Sequence, residues 1–177
     1  IFEYGKGCCI YDKAGKEYID FGSGIAVNSL GHGREDLAAA AFDQMKKLIH
    51  VSNLYTTEPT LELGFKLTSS GNFEAVHFGN SGSEANEAAI KYARLYAKRT
   101  AGDGKYKILA FKNAFHGRTL GALSCTPTAK YQDPFGPLVP GVEFCGYNDT
   151  AELEAKLDGS FAAVIVEPVQ GEGGLDV

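Results

Sequence analysis

The run Ala75-Val76-His77-Phe78-Gly79-Asn80-Ser81-Gly82-Ser83-Glu84-Ala85-Asn86-Glu87-Ala88 decides how the chain is read. Ala75 to Phe78 reads as a strand, residues 79–83 as a small-residue turn, and the chain from Ala85 to Arg99 as a long helix. Ala85, Ala88, Ala89, Tyr92, Ala93, Tyr96 and Ala97 recur at helical spacing and mark the expected packed face. Glu84, Glu87, Lys91, Arg94 and Lys98 fall on the other face, with Glu87 and Lys91 in the favourable i,i+4 order. Ser81 and Glu84 form an S-x-x-E capping box, so the helix should start at the turn. A strand that feeds a glycine-containing turn and a helix N-terminus is suited to an anion, because free backbone N–H groups and the positive end of the helix meet there.

The turn lacks G-x-x-x-x-G-K-[ST] and G-x-G-x-x-G, so neither a P-loop nor a dinucleotide fingerprint is supported. It narrowly misses the G-x-S-x-G nucleophile elbow, since the second glycine falls one residue early at Gly82. A serine hydrolase using Ser81 therefore stays open, and an ordinary capped helix fits the same residues.

The chain has 177 residues and 44% hydrophobic content, enough for one domain with a real core. A net charge of −5 and a pI near 5.4 argue against nucleic acid or an anionic membrane as main partner. No apolar run approaches transmembrane length, no signal or transit peptide is visible, and the first residue is Ile1 rather than Met. The cysteines, at 8, 9, 125 and 145, include no C-x-x-C, and no histidine pairs with them at metal-binding spacing. Free buried thiols in a reducing compartment, by default the cytoplasm, are the expectation. Cys8 and Cys9, adjacent in a strand, should point to opposite faces.

Residues 7–11 and 17–21 read as strands joined by a hairpin loop at 12–16. Residues 22–33 are mostly loop, and Glu35 to Ile49 predicts a helix with Leu37, Ala41, Met45 and Leu48 on one face. After an irregular loop to Pro59, a second helix has Leu63 and Leu67 as core candidates. Beyond the central unit, residues 107–111, 142–145 and 161–166 read as strands, with a helix capped by Thr150 between the last two. Strands alternating with helices imply a mostly parallel sheet in an α/β fold covered on both faces. The loops at 79–83, 112–119 and 167–174 each follow a strand, so they should converge on one edge, where ligands bind in such sheets.

The second loop offers Phe115, a flat ring suited to stacking, and Arg118, suited to bidentate capture of a carboxylate. Phe115 as plain core and Arg118 as a solvated loop charge are the bland readings of the same residues, and each residue taken alone favours them. His116 reads as a structural hydrogen-bonding residue. The third loop places Glu167 and Glu172 where a carboxylate could meet a positively charged ring or substrate, although Glu172 in so glycine-rich a loop also fits a solvated turn.

The motifs Asn80-Ser81-Gly82-Ser83-Glu84-Ala85-Asn86-Glu87-Ala88, Phe115-His116-Gly117-Arg118-Thr119 and Glu167-Pro168-Val169-Gln170-Gly171-Glu172-Gly173-Gly174 resemble those of the class III pyridoxal-phosphate aminotransferases. Gly24-Ile25-Ala26-Val27-Asn28-Ser29-Leu30-Gly31-His32-Gly33 and Ser52-Asn53-Leu54-Tyr55-Thr56-Thr57-Glu58-Pro59 bring it nearest to the acetylornithine aminotransferases. Gly33-Arg34-Glu35 departs from the His-Pro that relatives usually carry, which should alter only the helix start.

The resemblance implies fold type I of the pyridoxal-phosphate enzymes: a three-layer α/β/α large domain with a mostly parallel sheet, here truncated, and part of a small α+β segment. Residues 1–50 would belong to the small N-terminal segment and 51–177 to the first part of the cofactor domain. Gly82 and Ser83 would give backbone N–H groups to the cofactor phosphate, beside Ser81. Phe115 would stack on the pyridine ring, next to His116, and Arg118 would bind the substrate α-carboxylate. Glu167 would lie close to the cofactor and Glu172 near the substrate entrance.

By the same resemblance, the ω-amino group of N2-acetylornithine passes to 2-oxoglutarate in two stages, in a cytoplasmic homodimer with partner contacts near Asn53 to Thr57. No nucleic acid, membrane or metal is implied. Ornithine-specific relatives tend to carry a tyrosine at the place of Gly24, so a small residue there favours an acylated substrate. Succinyl-diaminopimelate, ornithine and 4-aminobutyrate aminotransferases, or a non-catalytic module of this fold, are the alternatives. The Schiff-base lysine and the pyridinium aspartate are expected beyond Val177, which makes the chain a fragment, inactive alone. By position Lys112 is the competing candidate for that lysine, although the resemblance gives it no such role.

Overall fold

Lys107-Ile108-Leu109-Ala110-Phe111 forms the strand around which the second half of the chain is layered. Successive side chains of a strand point to opposite faces, and both faces of this one are buried. Ile108 and Ala110 pack with Ile90, Ala93 and Cys125 on one side, and Leu109 and Phe111 with Cys145, Tyr147, Leu153 and Phe161 on the other. A strand without a polar face needs cover above and below, which makes three layers.

The computed structural model describes residues 1–177, which group into two compact units, Ile1–Glu74 and Ala75–Val177. In the first, β1 (Phe2–Lys6), β2 (Cys9–Asp12) and β3 (Glu17–Ile19) form an antiparallel sheet in the order β1-β2-β3. The hairpin between β2 and β3 matches the reading of the sequence. Asp12 Oδ1 accepts the N–H groups of Ala14 and Lys16 and folds the loop back. β1 escaped that reading because its burial is nearly uniform, with only Gly5 half-buried. Cys8 lies in the turn between β1 and β2 rather than in a strand, and it is exposed. The expected burial of thiols holds for Cys125 and Cys145 but not for Cys8.

Three elements complete the first unit. α1 (Ser23–Ala26) is a single turn in which all four residues have positive φ, and α2 (Glu35–Lys47) and α3 (Glu58–Ser69) follow it. Neither α2 nor α3 buries a residue. Leu63 and Leu67, expected in a core, are exposed, and so are Leu37, Met45 and Leu48, which the helical spacing places on one face. The amphipathic spacing made the helices, but no layer of the chain covers their apolar stripes.

The second unit opens with α4 (Gly82–Ala101), followed by β4 (Lys107–Phe111), α5 (Leu120–Ser124), α6 (Ala129–Gln132), β5 (Val142–Cys145), α7 (Thr150–Lys156) and β6 (Phe161–Val164). The sheet is parallel in the order β5-β4-β6, with α4 against one face and α7 on the side of the other core cluster. Asp149, not Thr150, caps α7 by accepting the Glu152 N–H at 2.9 Å. Residues 75–78 form no strand: their backbone groups join neither sheet, and an extended run becomes a strand only by pairing.

α4 begins where the capping box placed it. Ser81 Oγ accepts the Glu84 N–H at 3.2 Å, and the Glu84 carboxylate reaches back to the Asn80 N–H at 2.6 Å. The packed face differs from the expected one. Ile90 and Ala97 are buried, with Ser83, Asn86, Glu87, Ala93 and Arg94 half-buried beside them, whereas Tyr92 and Tyr96 are exposed. Glu87 and Arg94, expected in solvent, face the protein. Arg94 donates to the carbonyls of Tyr106 (3.1 Å) and Pro140 (2.6 Å). The anticipated Glu87–Lys91 pair is absent from the ion pairs.

Candidate functional site

The C-terminal ends of β4 and β6 lead into residues 112–119 and 165–174, and hydrogen bonds tie these two loops together. Glu167 Oε2 accepts the Phe115 N–H at 3.0 Å, and Gln170 Nε2 donates to the Lys112 carbonyl at 3.0 Å. The first loop joins them from α4, where Ser83 Oγ accepts the Arg118 N–H at 3.3 Å. Gly117 makes this approach possible. Its φ is +128°, and a Cβ there would stand 2.1 Å from Ser83 Oγ. The expected convergence of three loops therefore occurs, although the first enters from an unpaired segment rather than from a strand.

Gly82 and Ser83 occupy the first two positions of α4, and their N–H groups donate to nothing in the chain. Free donors at a helix start suit an anion. Ser81 supplies the cap, and its Oγ accepts the Glu84 N–H, which commits the hydroxyl oxygen to the helix. Phe115 is half-buried and, with Glu172, Gly173, Asn113, Lys130 and Tyr131, lines a cleft of about 260 Å³. Arg118 is exposed. Its guanidinium lies 3.6 Å from the Tyr131 ring centroid and 5.7 Å from that of Phe115.

His116 is buried, and its backbone N–H donates to Thr126 Oγ1 at 2.9 Å. Its Nε2 and the buried Gln170 Oε1 find no partner in the protein. Burial pushes the His116 imidazole below its ordinary pKa, against an opposing pull from Glu167. Lys112 Nζ lies 3.6 Å from Glu152 Oε2. Tyr131, Asn86, Glu87 and Lys130 escaped the reading of the sequence. Asn86 and Glu87 stood inside a family motif but were given no role, and the i, i+3, i+4 spacing they share with Ser83 was hidden by an Ala- and Tyr-based helix face.

The model of the family "Aminotransferase class-III" matches residues 1–177, and the chain belongs to that family. It is 47% identical over 178 residues to a probable mitochondrial acetylornithine aminotransferase of Dictyostelium discoideum, covering 99% of this chain and 39% of that protein. It is 50% identical over 171 residues to the succinylornithine transaminase of Salmonella typhimurium, covering 97% and 42%. With the acetylornithine aminotransferase of Clostridium acetobutylicum the identity is 47% over 174 residues, covering 98% and 45%. The chain thus spans about two fifths of the length of these curated relatives.

Among solved structures, the ornithine aminotransferase of Toxoplasma gondii, described with PLP at partial occupancy in its active site, superposes with a TM-score of 0.92. It is 34% identical, and the match covers all of this chain and 43% of that one. An ω-transaminase of Thermomicrobium roseum gives 0.93 at 33% identity, covering 99% and 45%. The fold is that of fold type I pyridoxal-phosphate-dependent transferases.

Proposed function

We propose that the protein carrying this chain is a pyridoxal-phosphate-dependent ω-aminotransferase that moves the ω-amino group of N2-acetyl-L-ornithine to 2-oxoglutarate, in arginine biosynthesis. The observation that supports it best is the Ser83–Arg118 hydrogen bond, which ties free helix-terminal N–H groups to an arginine with no carboxylate partner. A phosphate at one end and a carboxylate at the other need those two donor sets in one place. The residues present fit the cofactor: two free N–H groups, a half-buried ring at a cleft, and buried polar atoms on His116 and Gln170 still without partners.

Once bound, pyridoxal phosphate supplies the electron sink that lets an amino group pass between an amine and an oxo acid. Gly82 and Ser83 would hold its phosphate through their free N–H groups, and Phe115 would pack against its ring. Glu167 fixes the Phe115 backbone, and Arg118 takes the carboxylate of donor and acceptor in turn. Glu172 stands at the substrate entrance. Burial lowers the pKa of His116 and so disfavours a charge on its imidazole. Lys112 Nζ lies 3.6 Å from Glu152 Oε2, and the family motifs give it no proton-moving role.

Residues 1–50 are assigned to the small domain and 51–177 to the first part of the cofactor domain of a cytoplasmic homodimer. No helix is long and apolar enough to cross a membrane. The preference for an acylated donor rests on Gly24, and the Salmonella relative named succinylornithine transaminase makes succinylornithine the second candidate. Glutamate formation from 2-oxoglutarate with acetylornithine, succinylornithine, ornithine and 4-aminobutyrate tests this. An acylated donor should lead by about tenfold or more in kcat/KM, the range one well-fitted group supplies. A lead for ornithine or 4-aminobutyrate would sink the acyl assignment, and no glutamate from any donor would sink the function.

A further inference from the structure

Ser83, Asn86 and Glu87 lie at i, i+3 and i+4 on α4, and so on one side of it. All three bond to the segment that carries His116 and Arg118. Ser83 Oγ accepts the Arg118 N–H at 3.3 Å, and Asn86 Nδ2 donates to the His116 carbonyl at 2.6 Å. Glu87 Oε1 accepts the N–H groups of Gly121 (2.7 Å) and Ala122 (3.2 Å). These two belong to the first turn of α5, where backbone donors have no partner within the helix. Both residues are buried, so no water replaces the carboxylate cheaply. The fit is close: a Cβ on Gly121 would stand 2.3 Å from Glu87 Oε2.

We propose that Glu87 is a positioning residue that docks α5 onto α4 and thereby holds Arg118, three residues before Gly121, in register with the Gly82 and Ser83 amides. The role of Arg118 in it rests on the aminotransferase reading. Glu87 touches no reacting atom. The Gly82 and Ser83 amides are built by α4 alone, whereas the place of Arg118 depends on how its loop is fastened to α4. Removing the fastening should therefore weaken carboxylate capture and spare the cofactor.

In the holoenzyme, Glu87→Ala should raise KM for both the amino donor and 2-oxoglutarate about tenfold, the effect of a lost hydrogen bond to a charged group. Its kcat and its cofactor affinity should stay within about twofold of wild type on the same argument. Glu87→Gln keeps an accepting oxygen and should restore both KM values. In cofactor-free protein, amide exchange at Gly121 and Ala122 should quicken about tenfold in Glu87→Ala and not in Glu87→Gln. Unchanged KM in Glu87→Ala, or a loss of cofactor affinity that matches the loss of substrate affinity, overturns the proposal.

If Glu87→Ala does not fold, Gly121→Ala displaces the carboxylate without deleting it, and the same shifts are expected. Should the wild-type protein show no transaminase activity, the exchange experiment still decides: quickened exchange supports the clamp, and unchanged exchange refutes it.

Discussion

The guanidinium carbon of Arg118 sits 3.6 Å from the centroid of the Tyr131 ring, although the two residues are thirteen positions apart, with α5 between them and Tyr131 on α6. The arginine thus rests against an aromatic ring in a cation–π contact, while its N–H groups stay unpaired by any carboxylate. Tyr131→Ala should raise KM for 2-oxoglutarate roughly three- to tenfold, with kcat little changed, as expected for a contact of about 1 kcal/mol. Tyr131→Phe keeps the ring face and should behave as wild type. Steady-state kinetics of the two variants decide this, and an unaffected alanine variant would mean the stack is incidental.

His116 is kept below its ordinary pKa by burial. The unfolded chain then binds a proton at higher pH than the folded one, so between the two values stability rises with pH. The full stability is present above about 6.5 and is eroded as pH falls below it. Urea midpoints measured from pH 7.5 down to 5 should therefore drop faster for wild type than for His116→Gln. Parallel curves would show that the imidazole keeps its ordinary value.

Glu152 is pulled down to about 2, first by its bond to Lys156 and then by the Gly146 N–H, at 2.9 Å and 2.7 Å. A lowered carboxyl stabilises the fold above the ordinary glutamate value near 4.3, and that contribution disappears as pH falls toward 2. Glu152→Gln should lower the thermal midpoint at pH 6, and the gap to wild type should close by pH 2. A gap that stays constant across this window would exclude the charge as its source.

Burial pushes the Cys125 thiol up to about 11 and raises that of Cys145 as well. Both should resist iodoacetamide in the native protein, because the thiolate is the nucleophile and neither sulfur is accessible. Cys8 is exposed and should be alkylated first. Peptide mapping after timed labelling, with and without denaturant, reads this directly. Equal rates at Cys8 and Cys125 in native buffer would contradict the packing of the β4 core.

Much of the fold was legible before the structure. The Ser81–Glu84 box placed the start of α4, Asp12 and its neighbours placed the hairpin, and the apolar run 107–111 placed a strand buried on both sides. Each rests on neighbours within a few residues, where propensity and spacing act. The candidate site was legible as a set of motifs, and Ser83, Phe115, Arg118, Glu167 and Glu172 do gather through two hydrogen bonds and one shared cleft.

The misreadings share a cause. Residues 75–78 have the composition of a strand, but pairing depends on what lies alongside. Leu63 and Leu67 have helical spacing, but burial depends on what covers them. Glu87 read as a solvent charge because periodicity ranks residues by hydropathy, and a carboxylate that caps a distant helix violates that ranking.

The sequence by itself determined the cap of α4, the hairpin, the burial of β4 on both faces and the family motifs, because these follow from backbone sterics and spacing along the chain. Only the tertiary structure decided that Ser83, Asn86 and Glu87 grip the Arg118 loop and that Tyr131 carries its guanidinium. Those partners lie 13 to 35 positions apart. A hydrogen bond or a ring contact at such separation exists only after the sheet has brought the loops to one edge, and no local pattern of residues encodes that meeting.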